Sequence, residues 1–338
     1  ISNEDRILFQ TVARIIISAE GGSLIDHVNR KTVAKPNVAA LVPTKTYLPV
    51  SSSLSLPKDL TFFNGYGGFS NDGKEYIIGV SNEKRTPAPW SNVIANAKFG
   101  TVLSESGQSY TWSENAHEFR LTPWENDSVC DISGEAFYLR DEETGDFWSP
   151  VPLVKNKPGL YIVRHGFGYT VFEYEEAGIH SEVCIYVDLE AAIKFTTIKL
   201  KNNSGKPRKI SATGYVEWVM GDLKPKSAMY MITELEQESN AIFVKNPYSM
   251  EFSDHVGFFD TDRQIKSFTC DRNEFIGRNG SLKNPVGMTY AKLSGRIGVG
   301  LDPCSAIQVI IEMTSDEIEE VTFKLGAGKN NREANAIC

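Results

Sequence analysis

The chain lacks the cysteine pattern of either a metal ribbon or a disulfide scaffold. Its five cysteines, Cys130, Cys184, Cys270, Cys304 and Cys338, are scattered, odd in number and form no C-x-x-C pair. A reducing compartment is the simpler expectation. Long apolar runs are missing too: none reaches the roughly 18 residues of a membrane-spanning helix, so no membrane insertion by this chain is expected. Positive charge is in deficit, with 35 Lys and Arg against 43 Asp and Glu and a net charge of −8. Without a basic cluster, nothing replaces the counterions of a nucleic acid. Catalytic signatures are equally sparse. His117, His165, His180 and His255 stand alone, with no H-x-H or H-E-x-x-H spacing. The glycine-rich run Phe63–Phe69 has no G-K-[ST] and no helix after it, and reads as a turn or bulge. No G-x-S-x-G elbow is present. The reading is therefore of no metal, no cofactor and no catalytic residue. The acidic, polar start is not the basic-then-apolar pattern of a signal peptide, and the lack of an initiating Met with a polar tail after a strand-like run suggests a piece of something longer.

What is present is enough apolar residue for a sizeable core, 41% of 338 residues. Residues 1–31 read as helical. Ser2 and Asp5 make a capping box, and Leu8, Val12, Ile15 and Ile16 fall on one stripe. Gly21-Gly22 stops that helix, and Ser23 caps a short second one carrying Leu24, Ile25 and Val28. Residues 32–59, with Pro36, Pro43, Pro49, Pro57 and three serines in a row, read as an extended linker laid over a surface. Residues 60–326 alternate. Ile210, Ala212, Val216 and Trp218 face one way, with Lys209, Ser211, Tyr215 and Glu217 on a wet face. Val321, Phe323 and Leu325 alternate with Glu320, Thr322 and Lys324, and Asn202-Asn203-Ser204-Gly205 reads as a tight antiparallel turn. More than a dozen such runs without intervening helices predict a mainly β fold, a large antiparallel two-sheet super-β-sandwich. Residues 327–338 are expected to be a polar tail.

The densest chemistry lies between Tyr110 and Trp148. Trp112, Trp124 and Trp148 sit among Glu114, Asn115, His117 and Arg120. Aromatic rings stack on the C–H face of a sugar while polar groups take its hydroxyls; the other reading is that the tryptophans plug the ends of the sandwich. The carboxylates Asp127, Asp131, Glu135, Asp141, Glu142, Glu143 and Asp146 are plentiful, but sequence spacing places no two across a glycosidic bond. Asp141–Gly145 reads as an ordinary turn. Arg272 and Arg278, in the glycine-flanked run 271–280, suit a carboxylate, a phosphate or a sugar, or else salt bridges to a neighbouring domain.

Eight runs, taken in order, carry a family likeness. They are FFNGYGGF, TPAPWSNVIAN, FGTVLSESGQSYTWSENAHEFRLTPWEND, GEAFYLRDEETGDFWSP, RHGFGYTVFE, SATGYVEWVMGDL, DRNEFIGRNGSL and LSGRIGVGLDPCSAIQ. Together they resemble the family 94 glycoside hydrolase region, formerly glycosyltransferase family 36, of the cyclic β-1,2-glucan synthases. Cellobiose, chitobiose and β-1,2-oligoglucan phosphorylases are more distant relatives. The resemblance implies a galactose-mutarotase-like sandwich preceding an (α/α)6 barrel that carries the general acid and the phosphate site. Inorganic phosphate is then a substrate of the parent protein, and glucose 1-phosphate leaves with inversion. No residue of this chain inherits the acid. The implied roles are support of the barrel, a homodimer contact and glucan binding, with the loop Ser113–Asp127 reaching an active-site mouth. The implied location is the cytoplasmic side of the bacterial inner membrane, with this fragment soluble. The carbohydrate-binding or entrance candidates are Trp112, Glu114, Asn115, His117, Arg120, Trp124, Arg272 and Arg278. The alternatives are an independent carbohydrate-binding module and an aldose-epimerase-like enzyme recruiting His117 or His165.

Overall fold

A computed structural model describes residues 2–12, 23–25, 38–47, 54–127, 129–152 and 159–338. The chain divides into two units, residues 1–37 and 38–338. In the first, α1 spans Asn3–Val12. Its start is the reciprocal cap that the sequence implies: the Asp5 amide donates to Ser2 Oγ at 3.0 Å, and the Ser2 amide to Asp5 Oδ2 at 3.1 Å. Leu8 on its stripe is exposed. Ile15, Ile16, the Gly21-Gly22 stop, Val28, Pro36, Pro49 and the run Ser51-Ser52-Ser53 lie outside the described residues.

The second unit is a strand assembly. Among the described residues the strands are β1 Gly67–Phe69, β2 Glu75–Val80, β3 Ser91–Ala95, β4 Phe99–Ser104, β5 Ser109–Ser113 and β6 Glu135–Asp141. Next come β7 Phe147–Trp148, β8 Tyr161–Gly166, β9 Tyr169–Glu176, β10 Ile179–Val187, β11 Ile193–Asn202 and β12 Arg208–Glu217. The series closes with β13 Ile232–Leu235, β14 Ile242–Lys245, β15 Val256–Thr261, β16 Ile265–Asp271, β17 Pro303–Met313 and β18 Ile318–Gly328. A ten-stranded sheet runs β1-β2-β8-β9-β10-β11-β18-β15-β14-β13, and a five-stranded sheet runs β16-β17-β12-β6-β7. The two pack face to face through one apolar core, where the Phe137 and Phe323 rings lie 5.6 Å apart. Gly214 on β12 is fitted to that contact: a Cβ there would lie 2.7 Å from Phe259 and 2.8 Å from Phe323. The mainly β, antiparallel supersandwich is thus the architecture. A third, three-stranded sheet, β3-β4-β5, accompanies it.

At the junction of the three sheets lies a buried ion pair. Lys194 on β11 pairs with Glu135 on β6, and each side chain is 2% exposed. The Lys194 ammonium donates to Thr111 Oγ1 at 2.7 Å and Ser109 Oγ at 3.0 Å. The carboxylate accepts from Thr111 at 2.7 Å, Thr122 at 2.8 Å and Ser109 at 3.1 Å. Burial alone would raise the Glu135 pKa, but the ammonium and these hydroxyls outweigh it and hold it below the usual carboxylate range.

Three local expectations are corrected. The Asn202–Gly205 turn does not join paired strands, because β11 and β12 belong to different sheets. It is a crossover, pinned where the Asn202 amide donates to Thr314 O at 2.7 Å and Lys206 O at 2.8 Å. Turn chemistry specifies a reversal, not which sheet receives the next strand. The wet face of β12 holds at its ends, where Lys209 is exposed and Glu217 half-buried, but its middle is covered. Ser211 and Tyr215 are buried because Phe275, Ile276, Met288 and Leu293 pack on that side of the sheet. Lastly, residues 327–338 are not a plain polar tail. β18 runs on to Gly328, and a helix Asn331–Ile337, capped by Asn330 accepting from the Glu333 amide at 3.0 Å, follows it. Ala334 of that helix is buried with Phe243 and Phe258 on the outer face of the large sheet.

Replacing Lys194 with Met strands a buried carboxylate, and should cost about 3–5 kcal/mol in equilibrium unfolding, whereas the double variant Lys194→Met/Glu135→Leu recovers most of the loss. Denaturant titration of the three proteins checks this. Equal stability of the single and double variants would show that the pair is not what the sheet junction depends on.

Candidate functional site

The same ion pair sets the orientation of β5. Ser109 and Thr111 point at Lys194, so period-two alternation turns Tyr110 and Trp112 to the opposite face. Trp124 returns to this face. The Tyr110 ring lies 5.2 Å from Trp112 and 4.8 Å from Trp124, tilted by 30° and 34°. The three form one aromatic row, with Tyr110 buried and both tryptophans half-buried. Trp112 lies across Gly100 of β4, its cross-strand partner, where a Cβ would come within 2.4 Å of the indole. Burial raises the Tyr110 pKa, and its hydroxyl donates to Ala116 O at 3.4 Å.

The loop after β5 is organised by its own polar groups. Asn115 Oδ1 accepts from the amides of His117 and Glu118, both at 2.9 Å, which makes Asn115 the pivot of the turn. Glu114 has a φ of 59°, and its amide donates to Lys98 O at 2.6 Å. His117 is exposed and hydrogen-bonds Glu118 at 2.7 Å. Arg120 spends its guanidinium on backbone: it reaches Asp222 O at 3.3 Å, Ala116 O at 3.4 Å and Trp124 O at 3.5 Å. It ties the loop to the segment that carries Trp124. Trp148 is not on this surface: its pairing with Leu139 on β6 turns the indole fully into the core. Of the two readings of the tryptophans, the buried plug holds for Trp148 and the sugar-facing one does not.

Beside Trp124 is a cleft of about 390 Å³, lined also by Pro89, Gln108 and Ile132. A second cleft, of about 490 Å³, is lined by Arg272, Glu217, Lys224 and Ile276. Arg272 therefore does not join the aromatic row but sits in an ionic lattice across the finger 129–133. Arg278 is exposed nearby in sequence. Much of the run around it is structural: Asp271 accepts from the Asn273 amide at 3.0 Å, and buried Glu274 accepts from the Ser294 amide at 2.8 Å. The finger itself is anchored at Asp131, which accepts from Ser104 Oγ at 2.8 Å and from Ser106. The Asp141–Gly145 turn is as read, with Asp141 Oδ1 accepting from Glu143 and Thr144 amides at 2.8 and 3.0 Å.

Sequence reasoning passed over Tyr110, although its place two residues before Trp112 on a strand puts both on one face. The alternation of β12 puts Glu217 on a wet face and says nothing of its partners. Its link to Lys224 spans a turn of seven residues, and its link to Arg272 is a long-range contact with no local signal.

A family model described as the glycosyl hydrolase 94 supersandwich domain matches residues 74–338. The chain is 31% identical over 338 residues to the cyclic beta-(1,2)-glucan synthase NdvB of Rhizobium meliloti, covering 97% of this chain and 12% of that protein. It is 30% identical over 280 residues to an N,N'-diacetylchitobiose phosphorylase of Vibrio furnissii, covering 79% of this chain and 34% of that one. The chain thus spans about an eighth to a third of these relatives' lengths. Among solved structures, a galactose mutarotase-like protein from Lactobacillus casei shares 9% identity at a TM-score of 0.39, over 71% of this chain and 100% of that one.

His165 supplies a pH test of this end of the sandwich. Its Nε2 donates to Trp90 O at 3.1 Å, and its Nδ1 lies within hydrogen-bond distance of Thr170 Oγ1 at 3.0 Å. Burial pulls its pKa from 6.5 down to about 4, the Trp90 carbonyl opposing only in part. Between those values the unfolded chain binds a proton that the folded chain refuses. The stability from His165 is therefore fully present above about pH 6.5 and lost as the pH falls towards 4. Urea midpoints should drop between pH 7 and pH 5, and drop less in His165→Gln. An identical pH dependence in the variant would rule the residue out.

Proposed function

Because the chain belongs to the glycosyl hydrolase 94 supersandwich family, we propose that it is the sugar-handling, non-catalytic sandwich of a cyclic β-1,2-glucan synthase-like or glycoside phosphorylase-like protein. In that setting it supports a catalytic (α/α)6 barrel, contributes to a homodimer and guides a β-1,2-glucan. The barrel, the dimer partner and the use of inorganic phosphate are parts of the proposal. So is a location on the cytoplasmic side of a bacterial inner membrane; among the described residues no helix is long and apolar enough to cross a membrane.

The observation that carries the glucan-binding part is the row Trp112–Tyr110–Trp124. Its half-buried indoles offer apolar faces beside carbonyl- and carboxylate-rich loops, the combination a pyranose requires. Each stacking contact contributes about 1 kcal/mol, so isolated binding falls in the roughly millimolar range. The names of the relatives, a β-1,2-glucan synthase and a chitobiose phosphorylase, support a saccharide as the ligand class.

Calorimetric titration with linear β-1,2-gluco-oligosaccharides should give saturable binding, with cellohexaose as the weaker control. Trp112→Ala and Trp124→Ala should each weaken it several-fold without unfolding the chain. Binding unchanged in both variants would place recognition elsewhere. With glucan and phosphate, the chain alone should release no glucose 1-phosphate; release would overturn the non-catalytic reading.

A further inference from the structure

The 490 Å³ cleft has a construction unlike the aromatic row. Three of its lining residues, Glu217, Lys224 and Arg272, form with Asp302 behind them a closed lattice of two cations and two carboxylates. Lys224 Nζ lies 2.6 Å from Glu217 Oε1 and 2.8 Å from Asp302 Oδ1. Arg272 Nε lies 3.0 Å from Glu217 Oε2, and its terminal nitrogen 3.7 Å from Asp302 Oδ2. The Tyr215 hydroxyl donates to Glu217 Oε2 at 3.1 Å from the buried side. All four ionic side chains are between 17% and 28% exposed, so the lattice is held in place yet reachable. The cleft is lined also by the half-buried Leu282 and the buried Ile276 beneath it.

This arrangement discriminates between ligand classes. Within the lattice an anion such as phosphate would compete with Glu217 and Asp302 for Lys224 and Arg272 and break part of a partly buried network, which is costly, although Lys283, which also lines the cleft, stands outside the lattice. Sugar hydroxyls both donate and accept, so they add to the lattice without breaking it. The apolar lining at Leu282 receives the C–H face of the ring. The two clefts also share a wall. Pro123 and Glu125 line this cleft, Trp124 between them lines the 390 Å³ cleft beside the aromatic row, and Ile132 lines both.

We propose that the cleft walled by Glu217, Lys224, Arg272 and Leu282 is a second, neutral-saccharide subsite. A glucan held on the aromatic row crosses the wall at residues 123–125 and enters it. The inference rests on the saccharide reading of the row and deepens it: the ligand is an extended chain of several sugar residues, not a terminal disaccharide.

Cys130 is exposed and lines this cleft, whereas Cys270 and Cys304 are buried. Its alkylation rate, followed site by site by mass spectrometry, therefore reports cleft occupancy, while tryptophan fluorescence reports the row. A long linear β-1,2-gluco-oligosaccharide should slow Cys130 alkylation several-fold at the concentration that saturates the tryptophan signal. The corresponding disaccharide should change the fluorescence with little protection, and inorganic phosphate should do neither. Ser281→Trp, at an exposed position lining the cleft, should abolish the protection and the gain in affinity with chain length, and leave the disaccharide signal intact. A saturating fluorescence change without Cys130 protection overturns the second subsite and leaves the row standing. Protection by phosphate alone overturns the neutral-saccharide assignment. Protection without any fluorescence change overturns the reading of the row, and no response in either signal overturns both.

Discussion

Lys194 and Glu135 meet out of reach of water, where strands of all three sheets come together. The ammonium comes from the ten-stranded sheet, the carboxylate from the five-stranded sheet, and the hydroxyls that complete their coordination from β4, β5 and Thr122. A buried pair of this kind is a poor source of net stability, since desolvation offsets most of the attraction. What it supplies is register. A one-residue slip of β5 would withdraw Ser109 and Thr111 from the pair and turn Tyr110 and Trp112 inward. The aromatic row is therefore outward-facing because an ionic contact on the far side of the same strand requires it.

The second constraint is that the five-stranded sheet is buried on both faces. One face meets the ten-stranded sheet, and the other is roofed by residues 272–293, where Tyr215 stacks on Phe275 at 5.1 Å. That face stays open only towards Lys209 and Glu312 at one end, and the clefts nearest the aromatic row lie among loops at the rim of the sheet, between the row and the ion lattice of Glu217 and Arg272. The lattice is neutral within itself, which suits the acidic chain as a whole to an uncharged polyol better than to an anion.

How much of this was legible follows from which forces are local. Alternation exposed β18, where Val321, Phe323 and Leu325 are buried and Glu320 is exposed. Capping chemistry exposed the start of α1 and the Asp141 turn. The β12 alternation was detected, but its polar face was assigned to water, because Ser211 and Tyr215 are compatible with either and the covering segment lies sixty residues further on. The Asn202 turn was seen and its destination was not. Among the site candidates, Trp112 and Trp124 share a row while Arg272 lies across the 129–133 finger. Asn115 and Arg120 are committed to loop hydrogen bonds that composition does not reveal. Trp148 looked the same as its two neighbours in sequence. Its burial depends on β7 pairing with β6, a tertiary fact.

The most direct test is a crystal structure of the chain grown with a linear β-1,2-gluco-oligosaccharide. The account requires sugar rings against the indoles of Trp112 and Trp124, with the chain continuing past Pro123 towards Arg272. An ordered saccharide seated anywhere else on the domain, with these tryptophans bare, would contradict it.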